Sequence, residues 1–413
     1  MKVLQLTYRV PFPPTDGGSI GIYNITKGLH DNGCEIDLVA INTPKHSQPK
    51  DCMLPLATQH DVFVNTNISP FKLLKNVLFK SIPYNVERFV SKNVESKLIE
   101  LLSQNTYDFI QVEGAFVAYY IDVIKEHCSC PVLVRTHNIE YVIWERLALN
   151  EKNPAKKWFY KHLGKRLRAF EATYYNKADG IAAITEEDKQ RLIELNVHVP
   201  IQIVPAGVVL DKYLVAEDRE PEPNSIFSIS ALDWLPNLEG LDWFLKAIWP
   251  EILKRKPELQ FHIAGKSTPD WLINSSFPNV HVHGFVDDAI VFKKTYELML
   301  VPLLSGGGMR VKIIEGLAAK KCIISTTIGA EGIDCIHRKD IVIADSPHEW
   351  IDAICYYIDH SDERKVIEQN AFITANTVYE NTAITQKYIA LYEDLRDSKI
   401  SDLSADIEVS QNS

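Results

Sequence analysis

No run of residues in this 413-residue chain approaches the roughly 20 consecutive apolar positions that span a bilayer. The opening Met1-Lys2-Val3-Leu4-Gln5-Leu6-Thr7-Tyr8 stops at Arg9 and a proline cluster, too soon for a secretory signal. A soluble protein, or one held only at a membrane surface, is expected. Cysteine is sparse and odd in number: Cys34, Cys52, Cys128, Cys130, Cys322, Cys335 and Cys355 are scattered. That pattern excludes a disulfide framework and points to a reducing, cytoplasmic setting. Positive charge is in deficit. Lys plus Arg is 44 against 54 for Asp plus Glu, a net charge of −10, so nucleic acid is not an expected partner. The dinucleotide fingerprint Gly-x-Gly-x-x-Gly is missing, no serine-hydrolase elbow is read, and no repeat of fixed period is present.

What is present is an ordinary globular composition, 46% apolar and 24% charged. The length suggests two or three domains. Short apolar runs that read as strands fall at 2–7, 35–41, 61–65, 108–112, 131–136, 179–184 and 201–205, and again at 226–231, 259–264, 279–284, 297–302, 322–326 and 341–344. Helical periodicity fills most gaps. This alternation predicts parallel sheets covered by helices on both faces. Thirteen strands are too many for one compact sheet. The expected α/β architecture is therefore two doubly wound, Rossmann-like domains facing across a cleft, 1–205 and 206–382. The boundary is placed in 206–225, around the polar Glu217-Asp218-Arg219-Glu220-Pro221-Glu222-Pro223-Asn224. A last helix near 383–398 is expected to return to the first domain, and 399–413 to form a disordered tail.

In open α/β sheets, ligands bind outside the carboxyl ends of the strands. The loop after the first strand, Val10-Pro11-Phe12-Pro13-Pro14-Thr15-Asp16-Gly17-Gly18-Ser19, ends in two glycines that open a helix and can present amides to an anion. The most informative stretch is Val301-Pro302-Leu303-Leu304-Ser305-Gly306-Gly307-Gly308-Met309-Arg310-Val311-Lys312-Ile313-Ile314-Glu315. Three glycines after a strand, then two cations, make an anion site, most simply for a diphosphate. Glu315 lies about a turn and a half into the following helix, where a carboxylate can accept hydrogen bonds from sugar hydroxyls.

The segment Gly306–Ala319, with Ser325-Thr326-Thr327-Ile328-Gly329-Ala330-Glu331-Gly332 after it, resembles the donor-binding region of GT-B fold, family 4-like glycosyltransferases. Asp233-Trp234-Leu235-Pro236-Asn237, Trp243-Phe244 and Ile248-Trp249-Pro250 resemble the start of the family's second domain. Asp16-Gly17-Gly18 and Arg135-Thr136-His137-Asn138-Ile139-Glu140-Tyr141 resemble its first. The resemblance implies retaining transfer of a sugar from a nucleotide diphosphate donor to a glycan or lipid-linked acceptor, in polysaccharide biosynthesis. It implies no metal and no cofactor beyond the nucleotide sugar itself. The nucleotide would sit mainly on the second domain and the acceptor mainly on the first. Glu315 corresponds to the second glutamate of the family's pair, which holds the ribose. The first would fall at Gly307, leaving Glu331 or the amides of Gly306, Gly307, Gly308 and Met309 to meet the donor. Arg310 and Lys312, with the amides of Gly17 and Gly18, are expected to stabilise the charge growing on the leaving diphosphate. His137 is expected to contact the donor sugar or position the acceptor. No Asp-x-Asp metal motif is found.

Lys157, Lys161, Lys165 and Arg168 line one face of a helix whose other face carries Phe159, Leu163, Leu167 and Phe170. The basic face is a candidate for an anionic membrane surface, on the inner side of the cytoplasmic membrane. Cys128-Ser129-Cys130 and the alternating His281 and His283 lack the partners of a metal site. Two other readings stand beside transfer: a nucleotide-sugar epimerase, and a non-catalytic nucleotide-sugar-binding protein.

Overall fold

A computed structural model describes residues 1–215 and 220–411, with side chains through Lys399. Among these residues the chain builds two parallel sheets. The first contains β1 (Lys2–Thr7), β2 (Glu35–Asn42), β3 (Thr58–Phe63), β4 (Phe109–Glu113), β5 (Val132–Arg135), β6 (Gly180–Ala183) and β7 (Ile201–Ile203), in the order β3-β2-β1-β4-β5-β6-β7. The second contains β8 (Glu222–Ile229), β9 (Gln260–Ala264), β10 (Val280–Gly284), β11 (Tyr296–Val301), β12 (Cys322–Ser325) and β13 (Val342–Ile343), in the order β10-β9-β8-β11-β12-β13. Every strand pair is parallel. The central strands are buried along nearly their whole length, which is why they read as continuous apolar runs rather than alternating ones. In each sheet the strand order reverses once, between β1 and β4 and between β8 and β11. These are the switch points at which doubly wound sheets open a crevice.

The chain divides into two compact units. One holds residues 1–14, 18–206 and 382–413, and the other holds 15–17 and 207–381. Each has its own apolar core. Val112, Val134, Leu167 and Tyr175 belong to the first, and Phe244, Trp249, Phe261 and Trp350 to the second.

Two boundaries differ from the sequence reading. β8 begins at Glu222, inside the stretch read as linker, because Glu222 pairs in register with Tyr296 of β11. Glu217, Asp218 and Arg219 of that stretch lie outside the described residues. The last helix runs Asn381–Gln411 and does not give way to an irregular tail at 399. No Gly or Pro interrupts that span, so no backbone feature stops the helix near 397. Tyr388 and Tyr392 on this helix are buried in the first unit, Tyr392 stacked on Phe109 of β4 with ring centroids 3.7 Å apart.

Candidate functional site

In the second unit the glycine-rich turn follows β11 directly and leads into the Val311–Ala318 helix. Gly306 and Gly308 have φ of 115° and 71°, a region that glycine enters without strain. The turn packs against the Leu235–Trp243 helix so closely that a Cβ on Gly240 would stand 1.8 Å from the Pro302 carbonyl oxygen. Ser305 donates to Glu239 across the same contact, at 2.6 Å. The Thr326 hydroxyl, at the end of β12, donates to the Leu303 carbonyl. The loop is therefore held from both sides.

Arg310 is buried, and its guanidinium donates to the carbonyls of Gly307 and Gly308 beneath the turn, 5.6 Å from the Trp234 ring centroid. It braces the glycine loop and places positive charge under it. Lys312 is half-buried and donates to Asn237 Oδ1 at 2.7 Å. Burial, and then the nearby Arg310 charge, push its ammonium down to about 7. Glu315 is half-buried, paired with the buried Lys293 at 3.2 Å and 3.4 Å from the Tyr213 hydroxyl, which donates to it. Tyr213 is held well above the usual phenol range by burial and then by the Glu315 charge. Arg310, Lys312, Glu315 and the three glycines thus gather at the carboxyl end of β11. Met309, in the same turn, is half-buried. Glu331 lies further along, in the turn after β12, with its amide 3.4 Å from the Ile328 carbonyl.

In the first unit, His137 follows β5, and its Nε2 lies 2.6 Å from Glu113 Oε2, at the end of β4. The same oxygen is 3.3 Å from Arg135 Nη1, while Glu113 Oε1 accepts from Gln5 at 3.0 Å and from Gln111. Glu113 is fully buried. Burial would raise its carboxyl, but the Arg135 charge and the His137 hydrogen bond outweigh that and hold it at about 2. His137 moves the other way. Its burial outweighs the pull of Glu113, so the ring stays neutral below its ordinary range. A neutral ring bonded to an ionised carboxylate carries its proton on Nε2, which leaves Nδ1 as the acceptor nitrogen. Tyr8 packs edge-on to the ring at 5.7 Å. The loop behind it is fixed by Glu171, buried in the Pro154–Tyr175 helix, which accepts from the backbone amides of Glu140 and Tyr141 at 2.8 and 3.0 Å. Gly17, grouped with the second unit, and Gly18, grouped with the first, open the Gly17–Asp31 helix after β1. Gly17 to Gly21 does show Gly-x-Ser-x-Gly spacing, but Ser19 is buried in the first turn of that helix and is not presented as a nucleophile elbow.

Sequence reasoning missed Glu113, Lys293, Gln5 and the brace from Gly240. A charged residue closing the apolar strand Phe109-Ile110-Gln111-Val112-Glu113 was the available signal for the first. Two marginal features stay apart from these sites. Cys128 and Cys130 lie with sulfurs 2.6 Å apart, and His283 Nε2 is 3.0 Å from His262 Nδ1. Among the described residues no group of His, Cys, Asp or Glu is arranged to hold a metal ion.

Known proteins resemble the chain along nearly its full length. Residues 15–212 match a model described as glycosyltransferase family 4, and residues 223–360 one described as glycosyl transferases group 1. An uncharacterised 44.6 kDa protein in the cps region of Klebsiella pneumoniae is 23% identical over 402 residues, 93% of this chain and 97% of its own. Among solved structures, sucrose-phosphate synthase of Thermosynechococcus elongatus superposes with a TM-score of 0.69 at 15% identity, over 96% of this chain and 100% of that one. HepE of Anabaena in complex with UDP-glucose gives 0.68 at 13%, over 95% and 100%. These two share the fold.

Proposed function

We propose, from the premise that this chain belongs to the GT-B fold, family 4-like glycosyltransferases, that it moves a sugar from a nucleotide diphosphate donor to a glycan or lipid-linked acceptor, with retention and without a metal. The observation that carries the reading is the coincidence of a braced glycine turn, Arg310, Lys312 and Glu315 at the switch point of the second sheet. Amides of Gly306, Gly307, Gly308 and Met309 offer fixed donors to phosphate oxygens, and Gly17 and Gly18 offer more at a helix start. As the bond from sugar to diphosphate breaks, negative charge grows on the leaving group. Lys312, with Arg310 beneath the turn, stabilises that charge more in the transition state than in the ground state. Glu315, paired with Lys293, accepts from the ribose hydroxyls. Glu331 supplies a further acceptor for the donor sugar. His137, locked by Glu113, contacts the donor sugar or positions the acceptor. The UDP-glucose bound to the Anabaena neighbour supports a donor of this class.

Incubation with a panel of nucleotide sugars and a lipid-linked acceptor, with EDTA present, tests the proposal. Transferred product supports it. Isomerised donor, binding without turnover, or a strict requirement for Mg²⁺ or Mn²⁺ would replace it. Glu315→Gln should weaken donor binding roughly tenfold to a hundredfold, the cost of losing a charged hydrogen-bond acceptor. Its melting temperature should be recorded alongside, because Lys293 loses its partner too.

No helix among the described residues is long and apolar enough to cross a membrane. The exposed Lys161, Lys165 and Arg168 of the Pro154–Tyr175 helix, with Leu163, Leu167 and Phe170 packed inward, suit attachment to an anionic surface at the inner face of the cytoplasmic membrane.

A further inference from the structure

The Pro70–Phe79 helix of the first unit is built inside out. Ser69 caps it, accepting from the Lys72 amide at 3.4 Å, and Pro70 sets its first turn. Its inward position is polar. Asn76 is fully buried, donates to the Ile82 carbonyl at 2.9 Å and to Glu87, and accepts from Arg166 of the Pro154–Tyr175 helix at 2.8 Å. Arg166 also donates to the Ile82 carbonyl at 2.8 Å. The outward face is apolar. Phe71, Leu74 and Leu78 recur at helical spacing opposite Asn76, and they are 77%, 59% and 61% exposed. Phe79, 77% exposed, and Ile68, 69% exposed, extend the patch. Exposing this much large apolar surface on one short segment is unfavourable in water, and a patch of this kind marks an interaction site.

The rim identifies the partner. Lys72, Lys75 and Lys80 are exposed beside the apolar residues, and no acid occurs between Asp61 and Glu87. A second copy of the chain docking here through a two-fold axis would bring like charges together. An anionic bilayer offers phosphates at the depth of the lysines and acyl chains at the depth of the phenyl and leucyl groups. Ten residues of helix are about 15 Å long, enough to lie in the interface but not to cross it.

We infer that the Pro70–Phe79 helix lies in the headgroup region of an anionic membrane, with Phe71, Leu74, Leu78 and Phe79 inserted. This rests on the membrane attachment proposed above and turns it from purely electrostatic into partly hydrophobic. It is independent of the transfer reaction.

The test is co-sedimentation of the full chain with vesicles of phosphatidylcholine alone or mixed with phosphatidylglycerol, at about 0.1 M and about 1 M salt. No donor or acceptor is present, so failure of the transfer assay leaves the result standing. The native chain should bind the mixed vesicles, with a fraction that persists at high salt. Replacing Phe71, Leu74, Leu78 and Phe79 together by Ser should cut binding at least about tenfold and abolish the salt-resistant fraction. Lys161→Glu with Lys165→Glu should remove only the salt-sensitive part. If the fourfold variant does not melt like the native chain, Leu74→Ser and Leu78→Ser singly should each reduce the salt-resistant fraction. Vesicle binding unchanged in these variants, or lost altogether at high salt in the native chain, overturns the inference. So does light scattering that shows the native chain to be a dimer and the Ser variant a monomer.

Discussion

The two switch points handle buried charge in opposite ways. At the end of β4, Glu113 is matched to Arg135 and His137, with Gln5 and Gln111 filling the rest of its hydrogen-bonding capacity. Opposite charges share one dry space, and the carboxylate stays ionised. At the end of β11, Arg310 and Lys312 share a loop floor and a helix start, where they donate to the carbonyls of Gly307 and Gly308 and to the Asn237 side chain. Of the carboxylates close by, Glu315 is paired with Lys293 and Glu239 accepts from Ser305. The first arrangement balances its charge internally, as a framework for placing His137 should. The second sets two basic side chains beside a glycine turn, the arrangement that suits a diphosphate. Stability and function should therefore respond in opposite senses when each is altered.

The largest effect is expected at Glu113. Glu113→Gln leaves Arg135 buried without its counter-charge, which should cost about 3–5 kcal/mol, read as a lowered urea midpoint. Adding Arg135→Met should recover part of the loss, because the pair is then gone from both sides. The pH dependence has a definite sign. The folded carboxyl titrates near 2 against an ordinary 4.5, so its stabilisation is present above about 4.5 and drains away as pH falls from there toward 2. A variant as stable as the native chain at pH 7 would mean that this network does not balance its charge internally and that the contrast between the two sites is mistaken.

Lys312 should behave in the reverse manner. Its ammonium is pushed from 10.5 to about 7 on folding, so the unfolded chain holds a proton that the folded chain lacks between those values. Stability contributed by this group therefore rises with pH across that window, and its penalty is greatest below 7. Lys312→Met should stabilise the protein by about 1–2 kcal/mol near pH 6 while weakening donor binding. Native donor affinity should fall as pH rises above 7 and the amine loses its charge. Titration calorimetry with a nucleotide diphosphate at several pH values, beside thermal melts, reads both halves. A destabilised variant would mean that Lys312 is structural.

How much of this could be read from the sequence follows from the range of the interactions. The two-sheet fold was legible because strands buried on both faces leave continuous apolar runs, as in Val3-Leu4-Gln5-Leu6 and Leu298-Met299-Leu300-Val301. The glycine turn was legible because its residues are contiguous. Three other features depend on partners far along the chain and left no local trace. Glu113 and Arg135 are joined by strand pairing between β4 and β5, Lys293 reaches Glu315 from another helix, and Gly240 meets Pro302 across a helix–loop contact. The direction of Arg310 was also hidden, since the spacing places it beside the turn but does not say that it folds beneath it. The inverted Pro70–Phe79 helix was missed for a different reason. Its periodicity looks like any amphipathic helix, and only the burial of Asn76 shows which face points inward.

The smallest effect tests how far the Glu113 network extends. Tyr388, on the Asn381–Gln411 helix, is fully buried near Arg135, and its hydroxyl has no hydrogen-bond partner among the described residues. Its neighbour Tyr392 does join the network, donating to Gln111, which in turn donates to Glu113. If the polar cluster ends at Tyr392, Tyr388→Phe removes a buried hydroxyl that contributes no bond, and stability should rise slightly, by less than about 1 kcal/mol. Volume and ring packing are nearly unchanged by this substitution, so cavity effects do not mask the result. If the hydroxyl is instead coupled to Arg135, the same substitution should lower the midpoint. It should also move the acid transition of the native chain, because the carboxylate of Glu113 would then share its counter-charge with the phenol. Comparing Tyr388→Phe with Tyr392→Phe separates the cases. The second should cost about 1 kcal/mol through the lost bond to Gln111, and the first should not.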